Sequence, residues 1–454
     1  MPGPVLRLLK PFMTGAAYGC GAPITQESRV GAWPIQSGGM NRSGIARRSV
    51  LGAALAAVGA AVAGCGRSDG KDGKPEAAKK KRAWRHIHLA DAWDGAYVAM
   101  AAPARDDVWA LGMRGGKDGG TGARLFLDRF DGDTWTSGPL PGDLKADAGF
   151  TLHASDSKNV WLAESRPEAA TRVHRWDGTK WHLLPETPAA PATTTAPGKG
   201  GKLVTAGPEA GWLMLGDTVA HWDGSAWHTP DLDFVPAGLA ISAALGSGGD
   251  PGVWVAGVRD LDCAEGECYP QPASAVWRKG RWQALDTPEF RFDDPVPPEA
   301  SAGLDTVVAD DAKRGLWAVG RHDFNHGEVD DEPESEEILL QGDGKTWRKR
   351  RIPRLRHAID ATTTTPDGRG GLLLDHEHHF TADGDVHKVA WPAEIDGPPD
   401  YKVDPRFGQQ MEWNVSCLLP GTHTVLAAGA VLISGGDDPD MPSRPMIARF
   451  DGAR

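Results

Sequence analysis

The chain has 454 residues, of which 40% are hydrophobic, and its formal net charge at pH 7 is -12. An acidic chain is repelled by a phosphate backbone, so this composition argues against a nucleic-acid-binding protein. A chain of this length usually forms two or three domains. An internal repeat indicates instead that most of it forms one all-β domain.

The first predicted element is a secretory signal at residues 40–64. Arg47 and Arg48 precede an Ala- and Gly-rich apolar stretch at residues 50–63, and this order of charged, apolar and small residues is typical of export signals. The stretch is shorter than the roughly 20 apolar residues that span a bilayer. Its end, Val-Ala-Gly-Cys, resembles a bacterial lipobox, which implies lipidation of Cys65. The paired arginines resemble a twin-arginine signal, which implies export of a folded domain.

The segments on either side of this signal carry no globular pattern. Residues 1–39 are interpreted as an extension upstream of a natural start at Met40. Residues 65–81 are rich in Gly, Lys and Asp and predict a flexible tether. These features predict a protein anchored by lipid to the outer face of the cell membrane. Residues 82–454 are expected to form the folded domain.

A hairpin pattern recurs in this domain about every fifty residues. An aromatic residue is followed by Asp-Gly, and a second aromatic residue lies five positions after the first, which predicts two strands joined by a type I′ turn in which Asp and Gly both have positive φ. The copies, some of them degenerate, are Phe130 to Trp135, Trp176 to Trp181, Trp222 to Trp227, Trp277 to Trp282, Gly342 to Trp347, and Ala382 to His387.

A second marker, a strand resembling Val-Trp-Ala-Leu-Gly, precedes each hairpin. Fourteen of the eighteen tryptophans lie at repeat positions, which we interpret as packing between repeats rather than as a sugar-binding platform. The third and sixth repeats align without a gap, residues 211–227 against 371–387. The Trp position of this strand is occupied in order by Trp109, Trp161, Trp212, Trp254, Trp317, Leu372 and Leu426.

The seventh repeat is split between the two ends of the chain. Phe450 lies four residues before the C-terminus, so its hairpin has no second aromatic residue, whereas Trp84 opens an alternating apolar run near the other end. A split repeat closes a ring of blades. The sequence therefore predicts a seven-bladed β-propeller in which residues 84–89 complete blade 7. Blade 2 is expected to have strands at residues 150–154, 159–163, 172–176 and 180–184.

Insertions concentrate between the second and third strands of a blade. In a propeller these loops share one rim with the connections between blades, and we predict that this rim is the binding face. In an exported protein Cys263 and Cys268, in one such loop, are expected to form a disulfide, and Cys417 is expected to be a buried free thiol. The insertions cover residues 113–122, 258–273, 321–336 and 430–444.

The rim also carries histidines and acids of two neighbouring blades. Imidazole and carboxylate groups suit zinc or a similar divalent cation, although the spacing matches no strict ligand motif and acidic loops are commonly just solvated. The residues are His322, Asp323 and His326 of blade 5, and His376, Glu377 and His378 of blade 6.

The repeats resemble those of bacterial secreted propellers with Val-Trp-Ala-Val-Gly and Trp-Asp-Gly-x-x-Trp motifs, many of them actinobacterial lipoproteins. The resemblance covers residues 84–454 and implies the fold rather than a function. No nucleophile elbow or phosphate-binding loop is present, so we favour a non-enzymatic, monomeric scaffold without a cofactor that binds a protein, peptide or glycan. The alternatives are an extracytoplasmic hydrolase or lyase, and a metal- or solute-binding lipoprotein, each using the histidine and acid cluster.

Overall fold

The computed structural model is all-β in the part of the chain that it describes. Four strands form each of six sheets, and a seventh sheet has five. None of the described residues forms a helix long and apolar enough to cross a membrane. The described residues are 82–115, 122–166, 170–189, 202–216, 218–236, 241–242, 252–260, 269–297, 299–310, 315–324, 335–352, 359, 363–399, 401, 408–433 and 441–451.

Each sheet is one blade, with its strands in chain order from the inside outward. Blade 1 contains β2 (Gly95–Ala104), β3 (Asp107–Arg114), β4 (Arg124–Phe130) and β5 (Trp135–Ser137). Blade 2 contains β6 (Gly149–Asp156), β7 (Asn159–Ser165), β8 (Arg172–Trp176) and β9 (Trp181–Leu183). Blade 3 contains β10 (Leu203–Gly207), β11 (Ala210–Leu215), β12 (Thr218–Trp222) and β13 (Trp227–His228). Blade 4 contains β14 (Val235–Pro236), β15 (Ile241–Ser242), β16 (Val253–Arg259), β17 (Gln271–Arg278) and β18 (Arg281–Ala284).

The remaining three blades follow the same order, apart from the outer strand of the last. Blade 5 contains β19 (Ser301–Asp310), β20 (Gly315–Asp323), β21 (Glu336–Gly342) and β22 (Trp347–Lys349). Blade 6 contains β23 (Thr365–Pro366), β24 (Leu372–Leu373), β25 (His378–Phe380) and β26 (Val386–Lys388). Blade 7 contains β27 (Gln409–Leu418), β28 (Thr424–Ile433), β29 (Ser443–Asp451) and β1 (Trp84–Leu89).

The predicted closure of the ring is confirmed. Strand β1 pairs antiparallel with β29, with Trp84 opposite Phe450 and their ring centroids 5.5 Å apart. The innermost strands also contact one another in a closed circle, from β2 through β6, β10, β15, β19, β23 and β27 back to β2. Because the two ends of the chain share one sheet, the ring has no open edge. The predicted strands of blade 2 are likewise confirmed.

Seven hydrophobic clusters hold the blades together, one at each contact between neighbours. Side chains alternate along a strand, so Trp109 packs against blade 2 while Val108 packs against blade 7. The same alternation sends Trp317 toward blade 6 and Leu316 toward blade 4. Trp109, Trp161, Trp212 and Trp317 are at most 2% exposed. The repeated tryptophans are therefore packing residues, as predicted.

Blade 6 departs from the predicted alignment by one or two residues, depending on the strand. Leu372 packs toward blade 5, whereas Leu373 packs toward blade 7 and so occupies the Trp position. In the following hairpin Phe380 pairs with Val386, not Ala382 with His387. The gapless alignment of repeats 3 and 6 was wrong, because a slip of one residue turns every side chain to the other face.

The predicted type I′ turn was also wrong for the Asp-Gly hairpins. Trp176 lies opposite Trp181, which leaves four residues in the loop, and only the glycine has positive φ (98° at Gly178). Asp177 instead accepts hydrogen bonds from the backbone N–H groups of Thr179 and Lys180, at 2.8 and 2.9 Å. The type I′ turn occurs in blade 4, the copy without Asp, at Lys279 and Gly280 (φ 52° and 73°).

The glycine that ends the Val-Trp-Ala-x-Gly strand lies opposite a β-bulge. In blade 5 the extra residue of the inner strand is Asp305, which follows the partner of Gly320. In blade 7 it is Asn414, which follows the partner of Gly429. A Cβ atom on Gly320 or Gly429 would lie 1.9 Å from a carbonyl oxygen of that strand. The motif therefore needs glycine because the bulged backbone occupies the space of a side chain.

Candidate functional site

The ring is uneven where blade 6 meets blade 7. The strands of blade 6 are two or three residues long, whereas β27, β28 and β29 have ten, ten and nine residues. The connection from β26 to β27 covers part of the taller blade, with Ile395 and Tyr401 packed against the cluster between the two blades. We call this region, formed by His376, residues 389–396 and Trp413, the blade 6–7 notch.

The described tryptophans that the repeat does not require gather around this notch. Trp93 and Trp413 pack against the cluster between blades 6 and 7, and the ring centroids of Trp391 and Trp413 are 6.1 Å apart. Trp391 is 41% exposed. Its exposure sets it apart from the repeat tryptophans buried between blades. Its presence is not explained by blade packing.

His376, which forms one wall of the notch, has a left-handed backbone conformation. Its φ of 60° is uncommon for a residue with a side chain, and surrounding contacts must hold it there. The imidazole stacks on Trp413 with centroids 4.7 Å apart and planes at 15°. The backbone carbonyl of His376 accepts a hydrogen bond from Trp84 Nε1 at 2.7 Å. One face of Trp413 is thus covered, which leaves Trp391 as the exposed aromatic ring.

Side chains of blade 7 fix the connection that carries Trp391. The Nε2 of His86 donates to the carbonyl of Ala393 at 3.1 Å, and burial lowers the pKa of His86, which favours the neutral ring. The side-chain oxygen of Gln409 accepts from Ile395 N–H at 2.9 Å. Before Trp391, the N–H of Ala390 donates to the carbonyl of Arg82 at 3.0 Å. Trp391 therefore sits between anchored residues, and little conformational entropy is lost when a ligand binds it.

Not all of the predicted cation ligands are described, and those of blade 5 do not come together with those of blade 6. His322 is buried between blades 4 and 5, with its Nε2 2.8 Å from Tyr269 Oη and its ring stacked on Phe292 at 3.8 Å. His376 instead faces blade 7. His378 Nδ1 lies 2.8 Å from a carboxylate oxygen of Asp375.

The other members of that predicted cluster also have partners of their own. Asp323 accepts hydrogen bonds from Phe324 N–H and the Ser335 hydroxyl, and the carbonyl of Glu377 accepts one from Val389 N–H. Within the described ranges no three His, Cys, Asp or Glu residues are placed to hold a metal ion. His326 lies outside the described residues.

Several other predicted residues fall outside the described chain. These are Arg47, Arg48, Cys65, and the predicted disulfide partners Cys263 and Cys268. Residues 116–121, 261–268, 325–334 and 434–440 of the rim insertions are also outside. The predicted free thiol is described: Cys417 is half-buried and forms no disulfide with another described residue, and burial raises its pKa to about 12.

One acidic group in blade 5 has perturbed protonation that the sequence did not reveal. Burial raises the pKa of Glu337, and Asp305 and Asp323 act in the same direction while Arg321, 4.0 Å away, opposes them. A carboxyl group with a raised pKa suits general acid catalysis. It is one of two described acids that fit the enzymatic alternative, the other being Glu412, whose pKa is also raised by burial.

Comparisons with known proteins extend to fold alone. No family model and no curated protein matches the chain. Among solved structures, the β-propeller domain of the trilobed protease from Pyrococcus furiosus aligns with a TM-score of 0.44 at 9% identity, over 80% of this chain and 95% of that one. The WD40 β-propeller domain of Doa1 gives 0.42 at 10% identity, over 82% and 98%. The SapL1 lectin, in complex with α-methyl fucoside, gives 0.37 at 12% identity, over 65% and 96%.

Proposed function

We propose that this protein is an extracytoplasmic binding module, held at the membrane by a lipid on Cys65, and that it binds its ligand through the blade 6–7 notch. The observation that carries this proposal is Trp391, an indole that is 41% exposed on an anchored connection. Tryptophan is enriched at the centres of binding sites because it offers a large apolar area with few rotatable bonds.

The unevenness of the ring supports the same face. A short blade beside a tall one leaves a step on the rim, and concave surfaces are where ligands bind. The rim insertions belong to this end of the blades, since they connect second to third strands. The ligand is a protein, peptide or glycan, and the predicted export signal supports a ligand outside the cytoplasm.

The test is a binding screen with one variant and one matched control. The purified protein is screened against a glycan array and a displayed random peptide library, and each hit is titrated by calorimetry. Trp391→Ala should weaken the hits by about 30-fold, the loss typical of a hot-spot residue. Ile87→Ala, which removes another exposed apolar side chain (38% exposed) from the nearby β1, should leave affinity unchanged. Hits that bind Trp391→Ala as tightly as the wild type would contradict the proposal.

A further inference from the structure

One strand position in blade 2 differs in chemistry from most of its equivalents. The residue two places before the hairpin aromatic packs between neighbouring blades. In four other blades it is apolar and fully buried, whereas blades 1 and 6 have Asp128 and His378 there. Blade 2 has His174 there instead, 3% exposed. The four apolar equivalents are Ala220, Ala275, Leu340 and Ala448.

The imidazole of His174 is not satisfied by the protein around it. Its Nε2 is buried and forms no hydrogen bond with the described residues. Burial lowers the pKa of His174, so the ring is neutral and has one donor and one acceptor nitrogen. A buried polar atom without a partner destabilises a fold, and the other blades show that alanine or leucine fits this position.

His174 lines a surface depression of about 380 Å³. The connection from β5 to β6 forms one wall with Pro139 and Pro141, and the β8–β9 hairpin forms the other with Trp181 and Leu183. Trp181 is held in place by a hydrogen bond from its Nε1 to the carbonyl of Pro139 at 2.8 Å. Leu183 is 55% exposed. The depression therefore has an ordered apolar lining with an unpaired nitrogen behind it.

The lining selects a small neutral ligand with both apolar and hydroxyl surfaces. Lys180 and Asp143 are the two charged residues of the lining and have opposite signs, so the lining carries no net charge that would favour an ionic ligand. An apolar side chain of a peptide would fill the space but leave His174 Nε2 unpaired. A pyranose ring offers C–H groups to an indole and hydroxyl groups to an imidazole at the same time.

We propose that the depression between blades 1 and 2 binds one pyranose residue of a neutral saccharide, with Trp181 contacting the ring and His174 hydrogen-bonding a hydroxyl. This site lies on blades other than those of the notch and does not depend on the function proposed for it. The volume of about 380 Å³ lies within the range of small-molecule sites.

The probes are the methyl pyranosides of glucose, galactose, mannose, fucose and N-acetylglucosamine, titrated into the full chain and followed by NMR. At least one is expected to bind with a Kd below about 10 mM. His174→Ala should weaken that binding at least tenfold while the melting temperature stays the same or rises, because the equivalent position in blade 3 is alanine. His182→Ala, on the same hairpin, and Trp391→Ala, in the notch, should bind as the wild type does.

Two results would overturn the assignment. One is that none of the five pyranosides binds, which means that the orphan nitrogen only holds water. The other is that His174→Ala binds as the wild type does. If His174→Ala does not fold, the wild type still decides: binding in the depression must shift the indole N–H resonance of Trp181, and titrations that leave this resonance unmoved contradict the site.

Discussion

Trp84→Ala should destabilise the propeller more than the loss of any exposed tryptophan. Trp84 is 3% exposed, and its ring lies 5.2 to 5.5 Å from the rings of Trp413, Phe450 and His376. Its Nε1 also donates the hydrogen bond to His376 O. Truncation of a buried Trp to Ala costs about 3–5 kcal/mol. We expect about 4 kcal/mol, a large share of the roughly 5–15 kcal/mol that stabilises most folded proteins.

The measurement is urea unfolding of the full chain, followed by tryptophan fluorescence and far-UV circular dichroism. Trp391→Ala is the matched control and should cost no more than about 1 kcal/mol, because its side chain is 41% exposed. Trp84→Phe should recover part of the loss, since it keeps a smaller aromatic ring but removes the N–H donor. If Trp84→Ala unfolds at the same urea concentration as Trp391→Ala, β1 does not close the ring in solution.

Three further predictions follow from single contacts. Gly429→Ala should cost about 3 kcal/mol or more, because its Cβ would lie 1.9 Å from the Glu412 carbonyl, whereas Gly142→Ala, with open space around it, should change the unfolding free energy by less than about 0.5 kcal/mol. Burial lowers the pKa of His153 to about 4. As the pH falls from about 6.5 to 4, His153 becomes protonated in the unfolded chain but not in the folded one. The free energy of unfolding should therefore fall by about 3 kcal/mol across this range. His153→Asn keeps an acceptor for Thr205 N–H, and in this variant the free energy of unfolding, measured by denaturation at each pH, should depend less on pH across that range. Cys417, with a pKa of about 12, is almost all thiol at pH 8 and should not react with a disulfide reagent in the native protein. Cys417→Ser should therefore leave the number of reactive thiols unchanged in the native protein and lower it by one in urea.

The fold was predictable because the repeat places its large residues at fixed positions. A buried indole such as Trp109 or Trp161 needs a facing blade, and the recurrence of that need along the chain indicates how many blades there are. Even the completion of blade 7 by Trp84 followed from one aromatic residue missing at the C-terminus and one in excess near the N-terminus. Packing that repeats leaves a pattern that the sequence alone reveals.

Local geometry was less predictable because several backbones satisfy the same pattern. The aromatic pair at Trp176 and Trp181 is compatible with a short turn, but five positions of separation leave four residues between paired strands, and the Asp177 carboxylate stabilises that longer loop. In blade 6 the leucines at 372 and 373 are alike in composition. Only the packing shows which of the two faces blade 7.

The sequence analysis did not identify the notch or the depression at His174, for a different reason. Sequence analysis grouped His322 with His376 because their loops share a rim, yet each ring is packed between a different pair of blades. The better indicator was present but unused: Trp93, Trp391 and Trp413 fall outside the repeat. Position 174 could be compared with its equivalents from the repeat alone, but the burial of its side chain and its unpaired nitrogen become apparent only in the structure.

A repeat supplies its own reference for what each position needs to fold. Where most copies agree on packing and one departs at a cost in stability, folding does not explain the departure. His174 departs by burying an unpaired nitrogen where alanine suffices, and Trp391 departs by exposing an indole that no blade contact requires. Binding of a ligand would give each of these side chains a role that blade packing does not, so these two positions are where binding should be sought first.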